Sequence, residues 1–504
     1  WAVKTDDFFP YASGQDDYWS GFFTSRPTLK RFARVSNILL QQVRQIDAVY
    51  QSHHTAELHA LQRAVGLVQH HDGLSGTEKQ AVSNDYALRL NDGVIEAEKG
   101  LNEILFVIGA KEPFHLCLLA NTSVCDVSTK NQVCSMLLFR TSATQGIDGR
   151  FAMQEFEVLV HNALARKTVE TISIPLTHPL AMVDVIDGSG VVRHQDVFKA
   201  LPAHPEADVA PYSLVFSTEL SPLSATRFRV RQKGASNSAN MRTVDDDDDD
   251  ASKKNVIGDD KTVSLENDLV RVDINTQTGF IAKLVNKKKG IELPLSATVE
   301  YYHAYSKDHP CSGAYAFRPD GNKTYPVGQS ANGHPSATLV DLGLDSDLSS
   351  ASRVAFKIGD WVMLEYRLND GDEFVEIEWT VGPVPIGDNI GKEVIVRFDT
   401  KGSIKSDKTV YTDSNGLEFV KRVRDHRDTW NLVLHDDSER VAANYFPITT
   451  GAYIKDSDHQ LNIATDRAQG AASLQDGQLE VMVHRRLLED DNKGVGEHLN
   501  ETES

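Results

Sequence analysis

The sequence predicts an α+β multidomain protein, a three-helix bundle followed by antiparallel β-sandwich domains. Three observations carry that prediction. Apolar residues recur at spacings of three and four through the first hundred positions. After about Gly109 the pattern changes to period two, the signature of half-buried strands. The 504 residues are enough for about three domains at ~150 residues each.

Residues 1–25 hold Phe8, Phe9, Tyr11, Tyr18, Trp19, Phe22 and Phe23 at spacings that fit neither helix nor strand, so they read as a packed aromatic loop. Arg26-Pro27 opens a helix, with the proline in the first turn, where its missing N–H does no harm. Leu29, Phe32, Val35, Ile38, Leu39, Val43, Ile46 and Val49 form its apolar stripe. A second stripe carries Leu58, Leu61, Val65 and Val68 and ends at His71-Asp72-Gly73-Leu74-Ser75-Gly76. Thr77, with Gln80 three residues on, reads as a capping box for a third helix. That helix carries Val82, Tyr86, Leu90, Val94, Leu101, Leu105 and Ile108. Short connections make residues 26–109 an antiparallel bundle.

Residues 110–233 are expected to form a first β-domain. Gly234–Asp260 contains the run Asp245–Asp250 and almost no large apolar residue, so it reads as an acidic flexible linker or insertion. Residues 261–504 are expected to form a large β-sandwich domain. Val270, Val272 and Ile274 alternate with polar residues, as do Val375, Ile377, Trp379 and Val381, and again Leu479, Val481 and Val483.

Lys and Arg number 52 against 72 Asp and Glu, a net charge of −20. A nucleic-acid binder needs a basic face to displace counterions, so that class is disfavoured, as is docking on anionic lipid. No apolar run approaches the ~20 residues of a membrane-spanning helix. Asn121, Asn322 and Asn500 each begin an Asn-X-Ser/Thr glycosylation signal. Cys117 and Cys125 flank Asn121, and a disulfide closing that small loop is expected, while Cys134 and Cys311 read as free thiols. These features lean towards an oxidising compartment. A sequence that opens Trp1-Ala2-Val3-Lys4 looks like the middle of something longer.

The sharpest local feature is Gln69-His70-His71-Asp72-Gly73. Imidazole and carboxylate are both zinc ligands, and zinc commonly takes four. Adjacent helical residues point about 100° apart, so one imidazole is expected to face a given metal. Both imidazoles equally suit a helix C-terminus, where partial charge favours them. Trp19 offers a flat apolar platform for a sugar's C–H face, and equally a plug between domains. Tyr315 follows small residues in Ser312-Gly313-Ala314-Tyr315 and reads as an ordinary strand tyrosine or one approaching a neighbouring domain. His484–Gly494 carries so many charges that it suggests a salt-bridged interface or a site rim. Asp16–Asp17 lies in a loop without a partner.

At these residues the sequence resembles glycoside hydrolase family 38, the α-mannosidases, and within it the lysosomal type. The matching stretches are Asp7–Ala12, Tyr18–Pro27, Gln69–Thr77, Ser312–Phe317, Gly391–Ile395, Tyr411–Gly416, Leu461–Asp476 and Val481–Gly494. They run in order along the chain, with Gly234–Asp260 outside them. The resemblance implies an N-terminal α/β domain preceding this sequence, then the bundle, then β-domains, with residues 1–25 completing the catalytic domain. It implies a zinc-dependent retaining exo-α-mannosidase that removes terminal α-mannose from N-glycans in a lysosome or vacuole, or after secretion. It implies that His71 is a ligand of one Zn2+ shared with ligands outside this chain. It likewise implies that Asp72, Trp19 and Tyr315 contact substrate. The family usually has Arg where this chain has Lys493. The nucleophile and acid/base carboxylates are expected upstream of Trp1, so this chain alone is expected to be inactive. Its partners would be mannose-containing glycans and an N-terminal mannosidase domain or subunit, with a homo-oligomer also compatible. The alternative is a non-catalytic β-sandwich subunit that binds carbohydrate or serves as structure.

Overall fold

The computed structural model describes residues 3, 7–50, 55–107, 110, 113, 114, 116, 138–142, 155–176, 183–188, 190, 192, 193, 196–199, 212–232, 261–328, 336–340, 342 and 352–502. The Cys117–Cys125 pairing, Asn121, Cys134 and the acidic stretch 234–260 lie outside them.

Three helices come first: α1 (Pro27–Tyr50), α2 (Thr55–Val68) and α3 (Gln80–Val107). Their stripes meet in one core that includes Leu29, Leu39, Val43, Leu61, Val68, Leu90, Leu101 and Ile104. Burying each such side chain stabilises the bundle by about 1.5–3 kcal/mol. Gly93 lets α3 press on α2, because a Cβ there would lie 2.7 Å from the Leu61 Cα. Asn102 ties α3 to the segment after the bundle: its amide donates to the Phe114 carbonyl and accepts from the Phe114 N–H, each at 2.6 Å. Among the described residues no helix is long and apolar enough to cross a membrane.

The capping-box expectation fails. The Thr77 hydroxyl is turned away from α3 and donates to Asp72 Oδ1 at 3.0 Å. The first turn of α3 instead closes on the Lys79 carbonyl, which accepts from the Val82 and Ser83 amides.

The next unit packs a five-stranded sheet on a three-stranded one. Their facing residues, among them Val158, Ile174, Val185, Leu214, Phe216, Phe228 and Val230, form a separate core. Beyond residue 261 the described residues form four sheets, and every strand pair among them is antiparallel. At their centre is a six-stranded sheet ordered Pro319–Pro326, Ser296–Ala304, Lys392–Asp399, Gln478–Arg486, Gln469–Ala472, Tyr445–Ile448. One face of that sheet presents Val394, Val396, Phe398, Leu479, Val481 and Val483 to the main core. The other face presents Tyr302, Ile395, Tyr445 and Met482 to a second cluster that also holds Tyr18 and Phe317. A sheet covered on both faces buries its polar residues too, so they are paired. Glu480 accepts from the Tyr302 and Tyr445 hydroxyls at 2.8 and 2.6 Å and from Arg397.

Candidate functional site

The aromatic loop of residues 7–25 packs by its second half on the second face of the central sheet, while Phe8 and Tyr11 are exposed. Tyr18 and Phe23 are buried. The Gly21 and Phe22 amides donate to the Tyr315 carbonyl at 3.0 and 3.2 Å, and the Ser25 hydroxyl donates to the Ala314 carbonyl at 2.7 Å. The loop thus holds the segment Ser312–Phe317 from one side.

Arg485 holds it from beneath. A register shift between Val394 and Ile395 sets Val483 and His484 against Val394 alone, a β-bulge that puts Arg485 opposite Glu393. The fully buried guanidinium bridges Glu393 at 2.5 and 2.9 Å. Its remaining N–H groups donate to the Gly313 and Ala316 carbonyls and to Ser25 Oγ, each at 2.8 Å. Gly21 is required beside it, since a Cβ there would collide with the guanidinium. Asp491 completes the clamp, its Oδ2 accepting from the Tyr315 and Ala316 amides at 2.7 and 2.8 Å.

So fixed, Tyr315 reaches the helical bundle. Its hydroxyl donates to Asp72 Oδ1 at 2.7 Å, beside Thr77 at 3.0 Å. Burial opposes ionisation of Asp72, but the Tyr315 and Thr77 donations and the nearby imidazoles hold its carboxyl below the usual range. Burial, then the acceptor Asp72, pushes the Tyr315 phenol up to about 12, so it stays a donor.

The structure brings His70, His71, Asp72, Tyr315 and Trp19 together. The Trp19 ring packs on Tyr315 with centroids 5.1 Å apart at 61°, and Tyr11 lies on Trp19 at 5.1 Å. Trp19 Nε1 is buried with no hydrogen-bond partner among the described residues. Lys493 Nζ lies 5.5 Å from the Trp19 ring centroid and pairs with Asp17. Asp16 pairs with Arg318 at 2.9 Å. The Asp16–Asp17 loop therefore does have partners, supplied from segments some 300 and 476 residues away.

Both imidazoles turn to one carboxylate oxygen, contrary to the expectation that they diverge. His70 Nε2 and His71 Nε2 lie 3.4 and 3.3 Å from Asp72 Oδ2. The helix stops at Val68, so the 100° helical rotation no longer applies at residues 70–72. Ligand atoms of the three residues lie within 4.8 Å of one another. Imidazole nitrogens and a carboxylate oxygen are the donor types that zinc takes, so the donor chemistry fits that metal. The His71 side chain is 84% exposed, which leaves this edge open to further ligands.

His59 is exposed, with no metal-ligating neighbours among the described residues. Cys311 is a buried free thiol. Asn322 and Asn500 are exposed. Sequence reasoning missed Thr77, Asp491 and the bulge that aims Arg485; the dense charge of His484–Gly494 was the only signal for the last two.

Residues 17–108 match the alpha mannosidase middle domain, and residues 265–493 match the glycosyl hydrolases family 38 C-terminal domain. The chain belongs to glycoside hydrolase family 38, of which it carries these two domains. It is 35% identical over 517 residues to the lysosomal α-mannosidase of Homo sapiens, covering 100% of this chain and 46% of the human protein. To a probable α-mannosidase of Arabidopsis thaliana it is 34% identical over 528 residues, with 100% and 48% covered. The chain thus spans under half the length of these relatives. A crystal structure of an α-mannosidase from Enterococcus faecalis V583 superposes with a TM-score of 0.53 over 93% of this chain and 52% of that one. At 14% identity this likeness concerns the fold alone.

Proposed function

We propose that this chain supplies one wall of the active site of a zinc-dependent, retaining exo-α-mannosidase acting on N-glycans in a lysosomal, vacuolar or secreted setting. The observation that carries the reading is the Tyr315–Asp72 hydrogen bond beside the exposed His71 ring, which joins the two family-38 domains at the proposed metal edge. His71 would hold the metal, with His70 and Asp72 beside it. Bound there, zinc would coordinate sugar hydroxyls and polarise them. Asp72 keeps Oδ2 free of hydroxyl donors for substrate hydroxyls, because Tyr315 and Thr77 both address Oδ1. Trp19 and Tyr11 form an apolar wall for a pyranose C–H face, and Tyr315 fixes the distance between that wall and Asp72.

Retention requires two carboxyl groups about 5–5.5 Å apart, one attacking and one donating a proton. Asp16, Asp17 and Asp491 are committed to Arg318, Lys493 and backbone amides. The resemblance to family 38 implies that the reacting pair comes from the family's N-terminal domain. The test measures zinc content and 4-nitrophenyl α-mannoside hydrolysis for the chain alone and for the chain joined to a family-38 N-terminal domain. Hydrolysis and stoichiometric zinc are expected only in the joined protein, with zinc lost in His71→Ala. Hydrolysis by the chain alone overturns the divided site. A joined protein that binds mannosides yet never hydrolyses them supports the non-catalytic alternative.

A further inference from the structure

We infer that the C-terminal domain carries a second, accessory carbohydrate site, a pocket walled by Tyr301, Tyr325 and Trp361 that takes one neutral pyranose of a glycan. The pocket is a half-open cleft of about 250 Å³. That is below the usual range for drug-sized ligands, about 300–1,000 Å³, and suits a single sugar ring.

Period-two alternation separates it from the first site. Tyr302 points to the face of the central sheet that carries Tyr18 and Phe317. Its neighbour Tyr301 points to the opposite face, where it packs against the main core. Tyr325 sits directly across from Tyr301 in the antiparallel register, with ring centroids 5.8 Å apart. Trp361 comes from another sheet, in the turn between strands Arg353–Ile358 and Val362–Arg367, and its ring lies 6.2 Å from Tyr301. Two glycines bring that turn in. Gly328 and Gly359 both adopt left-handed backbone, φ +64° and +59°, and a Cβ on Gly328 would lie 2.5 Å from the Gly359 nitrogen.

The polar groups choose the ligand class. Lys392 is buried, and its ammonium is spent on both Asp388 oxygens at 2.9 and 2.8 Å and on the Pro385 carbonyl at 2.6 Å. The pair neutralises itself, and the other ammonium nearby, Lys323, lies 4.6 Å from the Tyr325 ring centroid as a cation–π contact. Asp388 remains half exposed and keeps lone pairs for hydroxyl donors. Among the described residues no hydrogen-bond partner claims the Tyr301 and Tyr325 hydroxyls or the Trp361 indole N–H. Apolar walls with neutral donors and one acceptor match a sugar, with its C–H face and hydroxyl rim.

The test titrates the 504-residue chain carrying His71→Ala, in EDTA, with methyl α-mannoside and with a high-mannose oligosaccharide, read by calorimetry. This background removes the metal edge of the first site but leaves Trp19, Tyr11 and Asp72, so binding is assigned to the second site by its response to variants there, which does not depend on the proposed hydrolase function. Saturable binding of at least one probe is expected, weakened about tenfold by Trp361→Ala, the loss of one aromatic wall. Tyr301→Phe removes a hydroxyl at almost constant volume and is expected to weaken binding about threefold. It decides the matter where Trp361→Ala does not fold. Absence of saturable binding, or unchanged affinity in the deciding variant, overturns the assignment.

Discussion

Tyr315 donates its hydroxyl to Asp72 at 2.7 Å, across 243 residues of sequence, and so couples a loop of the central β-sheet to the turn that ends α2. Replacing it by phenylalanine removes the donor and leaves Thr77 as the hydroxyl on Asp72. The expected loss of stability is about 1 kcal/mol, since the site is partly exposed. In the joined enzyme the same change is expected to raise KM for a mannoside about fivefold. Urea unfolding of the chain and steady-state kinetics check the two parts separately. An unchanged KM with the hydroxyl gone would deny Tyr315 any part in positioning substrate.

Gly313→Ala acts on the same hydroxyl indirectly. A Cβ at this position would lie 2.5 Å from Asp491 Cγ and from the Asp491 nitrogen. Asp491 is the residue that accepts from the Tyr315 and Ala316 amides, so the clamp must open. The expected destabilisation is about 1–3 kcal/mol, as for other overpacked sites. Gly14→Ala, where a Cβ meets nothing within 4 Å, is the control and is expected to change stability by less than about 0.5 kcal/mol. Chemical denaturation of both variants in parallel makes the comparison.

Arg485→Met is expected to be more damaging. It leaves the Glu393 carboxylate, fully buried, without its cation, and it strips donors from the Gly313 and Ala316 carbonyls. Breaking a buried pair in this way costs about 3–5 kcal/mol. Adding Glu393→Gln removes the stranded charge, so the double variant is expected to be more stable than the single one. Equal urea midpoints for the two would show that the ion pair is not what Arg485 contributes.

These cases show which physics a sequence carries. The bundle was legible because its stripe is local: Leu29, Leu39, Val43 and Ile46, then Leu58, Leu61, Val65 and Val68, then Leu90, Val94, Leu101 and Leu105 each repeat within one helix and are buried, whereas Ile38 at the stripe's edge is exposed. The strands Val270–Asn275 and Gln478–Arg486 were legible for the same reason. The candidate site was legible only in part. His71 and Asp72 stood out by composition, but the partner that orients Asp72 lies 243 residues away. Thr77 reads as a cap of α3 because a cap and a side-chain partner for Asp72 look alike over four residues. Arg485 reaches Glu393 through a bulge, and a single inserted residue leaves no mark on a hydrophobic pattern.

A buried charge cluster between α1 and the start of α3 sets the last expectation. Lys30 and Glu78 are both nearly inaccessible. Burial pushes Glu78 up to about 7 against the pull of Arg26, and burial pushes Lys30 down to about 7 against the pull of Glu78. Between the ordinary value of 4.5 and about 7, folded Glu78 keeps a proton that the unfolded chain has released. Stability from this group is therefore fully present below pH 4.5 and falls as pH rises to about 7, by at most about 1.4 kcal/mol per pH unit. Above about 7 the unfolded chain holds the extra proton, on Lys30, up to 10.5, and that contribution to stability rises again. The cluster thus favours the folded state at mildly acidic over neutral pH. Glu78→Gln removes the lower limb, so the stability of the wild type is expected to fall steadily relative to that of the variant from pH 4.5 to about 7. Urea unfolding at closely spaced pH steps measures it, and parallel curves for the two proteins would show that Glu78 does not titrate in that window.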